Sequence, residues 1–156
     1  MEQLLVGLLL WISQNTSFEY HQDMGLPIVE QVTQHELVKI YVGEDNHAQG
    51  FLSENDKETM HKNLLVSLQA VYTSDTNVIY LGGKVNPETE YGRSVLVHEL
   101  VHFLQKKHNH HQNVVCMNEL EKDAYLIQAQ YMREKNLKPP FDKFTILIRS
   151  ICENYF

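Results

Sequence analysis

The sequence predicts an α+β domain with one central helix, a second helix that crosses it and a small β-sheet. Residues 90–107 have helical spacing and are apolar on nearly every side around their middle, as expected of a buried helix. Residues 115–135 open with acidic side chains, which favour a helix N-terminus, and continue with apolar residues at helical spacing. Residues 70–73 and 78–81 lie on either side of a turn-prone segment and predict a hairpin.

The N-terminal segment contains an apolar run at residues 4–12. The run is far shorter than the roughly 20 residues that cross a bilayer, but it suits the apolar part of a secretory signal. Residues 1–3 lack the basic charge of such signals and no Ala-x-Ala pattern follows, so a first helix docked on the core is the alternative. We expect residues 1–17 to be one or the other and residues 18–156 to form a single domain. We favour an exported, periplasmic or membrane-associated protein over a cytoplasmic one.

The segment before the hairpin predicts scaffold elements. Residues 27–32 resemble a strand, and Thr33 and Glu36 suit a capping box for a helix that ends near Gly43. Residues 47–51 have turn character, and a further helix is expected over residues 55–68. The apolar residues of that helix, which we expect to pack in the core, are Met60, Leu64, Leu65 and Leu68.

The start and end of the central helix carry local signals. Asn86 is a favoured N-cap and Pro87 a favoured first helical residue, while Lys106 and Lys107 suit the negative end of the helix dipole. The loop that follows contains three histidines, which are His108, His110 and His111. They could bind a second metal ion, but a solvated histidine cluster in a loop commonly binds none, and we favour that interpretation.

The C-terminal part is expected to cover the core. Residues 137–140 end in two prolines and interrupt the chain, and residues 141–155 have the spacing of an amphipathic helix. The residues expected to face inward from this helix are Phe144, Leu147, Ile148 and Ile151.

Composition argues against one class of partner and leaves two alternatives for the cysteines. The net charge of −7 and the pI near 5.7 argue against nucleic acid, because proteins that bind it usually concentrate basic side chains on one face. Cys116 and Cys152 are too few for a disulfide framework and lack the Cys-x-x-Cys spacing of a zinc thiolate site. They therefore form either one bridge or two buried thiols.

The most informative motif lies in the middle of the central helix, where residues 98–102 read His-Glu-Leu-Val-His. Positions i and i+4 of a helix share a face, so His98 and His102 can reach one metal ion. Such a short pattern can arise by chance, but the apolar residues around it would bury both imidazoles and Glu99 at high cost without a metal. We therefore expect one zinc ion, with a third protein ligand elsewhere and an open corner for a water that Glu99 would face.

This motif and a later acidic segment resemble the gluzincin branch of zinc metallopeptidases. Residues 98–102 match its first motif, and residues 121–125 are similar to its Glu-x-x-Ala segment, which supplies the third ligand. The short gap between the two is similar to that of small bacterial proteins called minigluzincins. Their Val-His-Glu-Leu-Val-His-x-Leu-Gln and Glu-x-Glu-Ala-Tyr-x-x-Gln runs correspond to residues 97–105 and 121–128, with Asp123 in place of the second Glu. The resemblance implies a minimal zincin-like metallopeptidase domain.

The third ligand has two candidates. The resemblance implies Glu121, and Ala124, one turn later, would let the two helices approach closely. Tyr125 would then face the metal and could hydrogen-bond a ligand histidine. Glu119 is the alternative, because Asp123 would follow it by one turn as an acceptor for a ligand histidine. The two glutamates lie about 200° apart around a helix, so only one can face the metal, and we favour Glu121.

These residues lead us to expect a zinc-dependent metallopeptidase that acts on a peptide or protein substrate. Zinc would activate a water, and Glu99 would accept its proton and pass it to the leaving amine. The strand at 78–81, if it lies at the sheet edge above the central helix, would align an extended peptide by backbone pairing. The alternative is a non-catalytic zinc-binding or interaction protein on the same scaffold, since a small domain offers little surface for a cleft.

Overall fold

A computed structural model describes residues 1–44 and 53–152, and within these ranges the chain forms six α-helices and one three-stranded mixed sheet. This confirms the predicted α+β class. The helices are α1 (Glu2–Asn15), α2 (Gln34–Glu44), α3 (Glu54–Ser67), α4 (Glu90–Lys107), α5 (Asn118–Glu134) and α6 (Lys143–Arg149). The strands are β1 (Ile28–Val32), β2 (Ala70–Thr73) and β3 (Val78–Gly82).

β3 lies at the centre of the sheet, whose strand order is β1-β3-β2. β2 and β3 pair antiparallel, which confirms the predicted hairpin, and Asn77 in its turn adopts a left-handed φ of 57°. β1 pairs with β3 in parallel, with Ile28 opposite Val78. Residues 78–81 therefore do not form a sheet edge, so the condition for peptide pairing at this strand is not met, because β1 covers the side that the hairpin leaves open.

α4 is the central helix, as predicted. Every residue from Ser94 to Val101 is buried, and the helix contacts α1, α5 and β2. Its bounds agree with the predicted 90–107, but the N-cap is Thr89 rather than Asn86, and the Thr89 side chain accepts a hydrogen bond from the Gly92 N–H at 3.0 Å. The Asn86 carbonyl lies over Gly92, where an added Cβ would come within 1.9 Å of the carbonyl oxygen. Only glycine lets the chain fold back this tightly before the helix begins.

The N-terminal apolar run forms α1, which packs on α4 as a core-docked helix. Trp11 Nε1 donates to Glu134 Oε2 at 2.9 Å, which joins α1 to the C-terminal end of α5. Within residues 1–44 and 53–152, no helix is both long and apolar enough to cross a membrane. The buried residues of α1 are Leu5, Leu8, Leu9 and Ile12.

The elements between β1 and the hairpin follow the prediction in part. The Thr33 N–H donates to Glu36 Oε2 at 2.9 Å and the Glu36 N–H donates to Thr33 Oγ1 at 3.3 Å, which confirms the capping box of α2. α3 forms as predicted, but its apolar stripe is half-buried rather than part of the core, because the helix packs mainly on α2. The turn expected at residues 47–51 lies outside the described residues.

α6 differs most from the prediction. It ends at Arg149, and residues 153–155 of the expected longer helix lie outside the described range. The expected inward face points outward, whereas Ile146 on the opposite face is buried against the rest of the domain. Packing of α6 on α5 through Ile146 leaves the predicted stripe uncovered. The residues for which the inward prediction is wrong are Phe144, Leu147, Ile148 and Ile151, all of them exposed.

A disulfide joins Cys116 to Cys152 and decides between the two alternatives for the cysteines. It ties the residues just before α5 to those just after α6, with 36 positions of sequence between the two cysteines. The short C-terminal helix is thus attached to the start of α5 by a covalent bond as well as by packing.

Candidate metal centre

The candidate centre lies where α5 begins to cross α4. His98 and His102 lie one turn apart on α4, and Glu121 stands in the first turn of α5. Ala124 is fully buried between the two helices, and its small side chain allows their backbones to approach closely. The structure therefore brings together the two histidines and the glutamate that the sequence singled out.

The three side chains converge on one point. His98 Nε2 lies 3.2 Å from His102 Nε2, and each of these nitrogens lies 3.2 Å from an oxygen of the Glu121 carboxylate. A search of the described residues for histidine, cysteine and carboxylate side chains close enough together to hold a metal ion finds these three, whose ligand atoms all lie within 4.8 Å of one another. Two imidazoles and a carboxylate are one of the ligand sets of catalytic zinc sites.

Glu119, the alternative third ligand, points elsewhere. Its Oε2 accepts a hydrogen bond from the Val115 N–H at 3.2 Å, and its Oε1 lies 3.7 Å from Cys152 Sγ. It therefore occupies the N-terminal end of α5 beside the disulfide, on a different face from Glu121. Of the two carboxylates, Glu121 is the one that reaches both histidines.

His98 is held by two residues of α5. Its Nδ1 lies 3.2 Å from Gln128 Oε1, and the Tyr125 ring packs edge-on against the imidazole with the ring centroids 4.5 Å apart. The sequence predicted a hydrogen bond from the Tyr125 phenol to a ligand histidine. In the structure the Tyr125 ring packs on the His98 imidazole, and Gln128 is the residue that faces His98 Nδ1. Phe141 packs in turn against Tyr125, with centroids 5.3 Å apart.

His102 is held by Gln105, which belongs to its own helix. The Oε1 of Gln105 lies 2.8 Å from His102 Nδ1, and its Nε2 donates to the Leu120 carbonyl of α5 at 2.9 Å. No sequence motif assigns a role to Gln105 or Gln128. Their signal is that each is a polar residue within a buried stretch, placed three positions after His102 and seven after Glu121.

Glu99 lies close enough to His98, His102 and Glu121 for their charges to act on it, and it is only 6 % exposed. Burial raises the pKa of its carboxyl group; the nearby His98 and His102 lower it, and the Glu121 charge raises it further, with a net upward shift. The Tyr72 backbone on β2 donates a hydrogen bond to this carboxylate. A buried carboxylate with a raised pKa is suited to accept and return a proton near neutral pH.

The charges of the cluster depend on one another. Burial by itself lowers the pKa of His102, but its hydrogen bond to Glu121 and the charges of Glu121 and Glu99 outweigh burial and raise the pKa to about 9. Burial by itself raises the pKa of Glu121, but hydrogen bonds from His102 and His98 hold it well below its usual range. The metal-free cluster thus retains a proton, and its carboxylate stays charged.

The dimensions of the cluster fit zinc. Bonds of about 2.0–2.1 Å in a tetrahedron place neighbouring ligand atoms about 3.3 Å apart. The separation of 3.2 Å between the two histidine nitrogens is close to that edge length, and each nitrogen lies 3.2 Å from a different oxygen of the Glu121 carboxylate. His98, His102 and Glu121 fit three corners of such a site.

The loop histidines make contacts away from this cluster. His108 Nε2 lies 2.7 Å from the Glu19 backbone oxygen, and the His110 ring packs on Phe18 with centroids 5.1 Å apart. These contacts attach the loop after α4 to the segment after α1.

Comparisons with known proteins give a family. A family model described as a domain of unknown function, DUF6647, matches residues 1–155, which is nearly the whole chain. Neither the curated proteins nor the solved structures contain a significant match. The chain therefore belongs to the DUF6647 family.

Proposed function

We propose that this protein is a zinc-dependent metallopeptidase with a minimal zincin-like fold of the gluzincin type. The observation that carries the proposal is the convergence of three side chains with metal-binding atoms, His98, His102 and Glu121, close to the buried Glu99. In the metal-free protein a retained proton holds the two imidazole nitrogens and the carboxylate at 3.2 Å, and a bound cation would take the place of that proton. We propose zinc, because two imidazoles and a glutamate are a ligand set of catalytic zinc sites.

The chemistry then divides between the ion and the chain. When bound, zinc lowers the pKa of a water ligand towards about 7 and polarises a carbonyl group as a Lewis acid. His98, His102 and Glu121 hold the ion, and Glu99 accepts the proton of the attacking water. The same carboxyl group returns that proton to the leaving amine, a transfer that contributes roughly 10²–10⁴-fold in rate.

The sheet offers a place for an extended substrate, but on a different strand from the one expected. β3 is central, whereas β2 lies at the edge and packs on α4. Tyr72, in the middle of β2, donates its backbone hydrogen bond to Glu99, so this edge strand adjoins the proposed base. We propose that a peptide substrate pairs with β2 rather than with residues 78–81.

One observation favours a different function. Glu99 is only 6 % exposed, so little of the path that a substrate would need to reach it is open. A protein that binds zinc without cleaving peptides would need no such path. The alternative is therefore a non-catalytic zinc-binding or interaction protein on the same scaffold.

We also propose an exported or membrane-associated location. The support is the Cys116–Cys152 bond, because disulfides persist mainly in oxidising compartments and are rare in the cytosol. Fractionation of cells that express the chain at native level checks this location. Recovery in the cytosol with both thiols reduced would contradict it.

The test of function separates metal binding from catalysis. Purified wild-type protein is expected to contain one zinc ion per chain by elemental analysis and to cleave denatured casein. Glu99→Gln is expected to keep the zinc and to lose at least about 10²-fold in activity, because the amide cannot accept the water proton. Glu121→Gln is expected to lose zinc and activity together.

A matched control uses the other glutamate at the start of α5. Glu119→Gln removes a carboxylate of the same size from the same helix but outside the cluster, so zinc content and activity should stay at the wild-type level. Zinc binding without cleavage across a broad peptide library would favour the non-catalytic alternative. Zinc lost from Glu119→Gln but retained by Glu121→Gln would remove the proposed ligand set.

A further inference from the structure

Gln105 has both ends of its amide group engaged at the proposed centre. The residue is 1 % exposed and lies on α4, three positions after His102. Its oxygen faces His102 Nδ1 at 2.8 Å, and its nitrogen faces the Leu120 carbonyl at 2.9 Å. The oxygen of an amide accepts hydrogen bonds and its NH₂ group donates them. When one partner of a buried amide is known to be an acceptor, the orientation of the amide follows, and so does the role of the other partner.

The Leu120 carbonyl fixes the direction of the amide. A carbonyl oxygen can only accept, so the end of Gln105 that faces it must be the NH₂ group. The reversed amide would place two oxygens against each other in a buried site. The oxygen of Gln105 therefore faces His102, and a neutral His102 must carry its proton on Nδ1 to donate to it.

The Nδ1–H tautomer of His102 decides whether His102 Nε2 can bind a metal ion. With the proton on Nδ1, His102 Nε2 keeps its lone pair and directs it at His98 and Glu121. The second hydrogen bond acts on the third ligand, because the Leu120 carbonyl belongs to the peptide unit that leads into Glu121. One side chain thus contacts both a ligand ring and the backbone that carries another ligand.

We propose that Gln105 is a positioning residue that fixes His102 in its Nδ1–H tautomer and holds the Glu121-bearing turn of α5 against α4. The inference rests on the metal site of the proposed function. It adds that two of the three ligands are set in place by a single neutral amide. A carboxylate in its place could accept from His102 but would face the Leu120 carbonyl with no proton to donate.

Two substitutions separate the two roles. Gln105→Glu keeps an acceptor for His102 and removes the donor to Leu120, whereas Gln105→Met removes both at nearly the same volume. Gln130→Met is the matched control, because Gln130 lies on α5 and contacts Glu134 rather than the cluster. Each variant is compared with the wild type in the full chain.

The first readout needs no metal. Long-range ¹H–¹⁵N NMR spectra of the zinc-free protein, recorded over rising pH until His102 is neutral, show which ring nitrogen is protonated. His102 is expected as the Nδ1–H tautomer in the wild type, in Gln105→Glu and in Gln130→Met. In Gln105→Met it is expected to shift towards the Nε2–H form, which a role in packing alone would not cause.

The second readout is zinc affinity, measured by competition with a chromophoric chelator. Loss of a residue that orients a ligand typically weakens metal binding about 10–100-fold, and we expect this for both Gln105 variants but not for Gln130→Met. An unchanged tautomer and affinity in Gln105→Met would overturn the proposal while leaving the zinc site standing. A wild type that binds no zinc would refute the proposed function, and the tautomer shift would still decide the role of Gln105.

Discussion

α5 and α6 are both amphipathic helices in the sequence, yet they use their apolar residues in opposite ways. α5 crosses α4 and buries the apolar residues that its spacing predicts, among them Ile127 and Met132. α6 turns its predicted stripe outward, so that Phe144 is 70 % exposed, and buries Ile146 from the other face. The difference shows that spacing identifies residues that share a helix face but does not identify what covers that face.

The partners of the two helices explain the contrast. α5 is long enough to lie across α4 from Glu121 to the Tyr131 hydroxyl, which donates to Glu90 Oε2 at 2.8 Å. α6 is seven residues long and docks on α5 beside the Cys116–Cys152 bond. A long helix against a buried neighbour is held by its apolar face, whereas a short helix at the rim can be held by a covalent tether.

The largest expected effect is at α5. Ile127→Ala is expected to lower the free energy of unfolding by about 2–5 kcal/mol, because the side chain is 8 % exposed and its removal leaves a cavity in the core. Urea denaturation of the purified protein measures this loss. A loss below about 0.5 kcal/mol would mean that α5 is held no more firmly than a surface element.

The second effect concerns the tether. Replacing both Cys116 and Cys152 by serine is expected to cost about 2–4 kcal/mol, because the disulfide no longer restricts the unfolded chain. Limited proteolysis should then cut α6 earlier than α5, and zinc content should be unchanged because Glu121 is positioned by α4. Loss of zinc from this double variant would show that the disulfide also helps to position His98, His102 and Glu121.

The smallest effect is at the exposed face of α6. Ile148→Ala makes the same chemical change as Ile127→Ala, but Ile148 is 52 % exposed, so we expect a change within about 0.5 kcal/mol. Urea denaturation of the two variants side by side gives the comparison directly. A loss equal to that of Ile127→Ala would mean that another surface covers the stripe of α6 in solution.

The sequence was sufficient for elements whose signals are local. α4, the hairpin and the capping box at Thr33 and Glu36 follow from spacing, turn residues and caps, and all three are present in the structure. The shared face of His98 and His102 follows from helix geometry alone. Convergence of Glu121 on that face agrees with the resemblance, while its role as a ligand remains a proposal.

The features that the sequence missed depend on distant contacts. β1 pairs with β3 across about 50 residues, and no local pattern near Ile28 or Val78 indicates that pairing. The hydrogen bond from Gln105 to the Leu120 carbonyl, on which its proposed role depends, joins two helices and cannot be recognised from the sequence around Gln105. A single glutamine in an apolar run looks the same in sequence whether it orients a ligand or merely satisfies a neighbour.

The hydrogen bond between Trp11 and Glu134 has a consequence for synthesis of the chain. The two residues are separated by 123 positions, so the apolar face of α1 finds its final partners only after α4 and α5 have been made. At 5–20 residues per second, the ribosome needs about 6–25 s to add that length. During this interval the nascent chain presents an uncovered apolar helix to chaperones and to the targeting machinery that reads such segments.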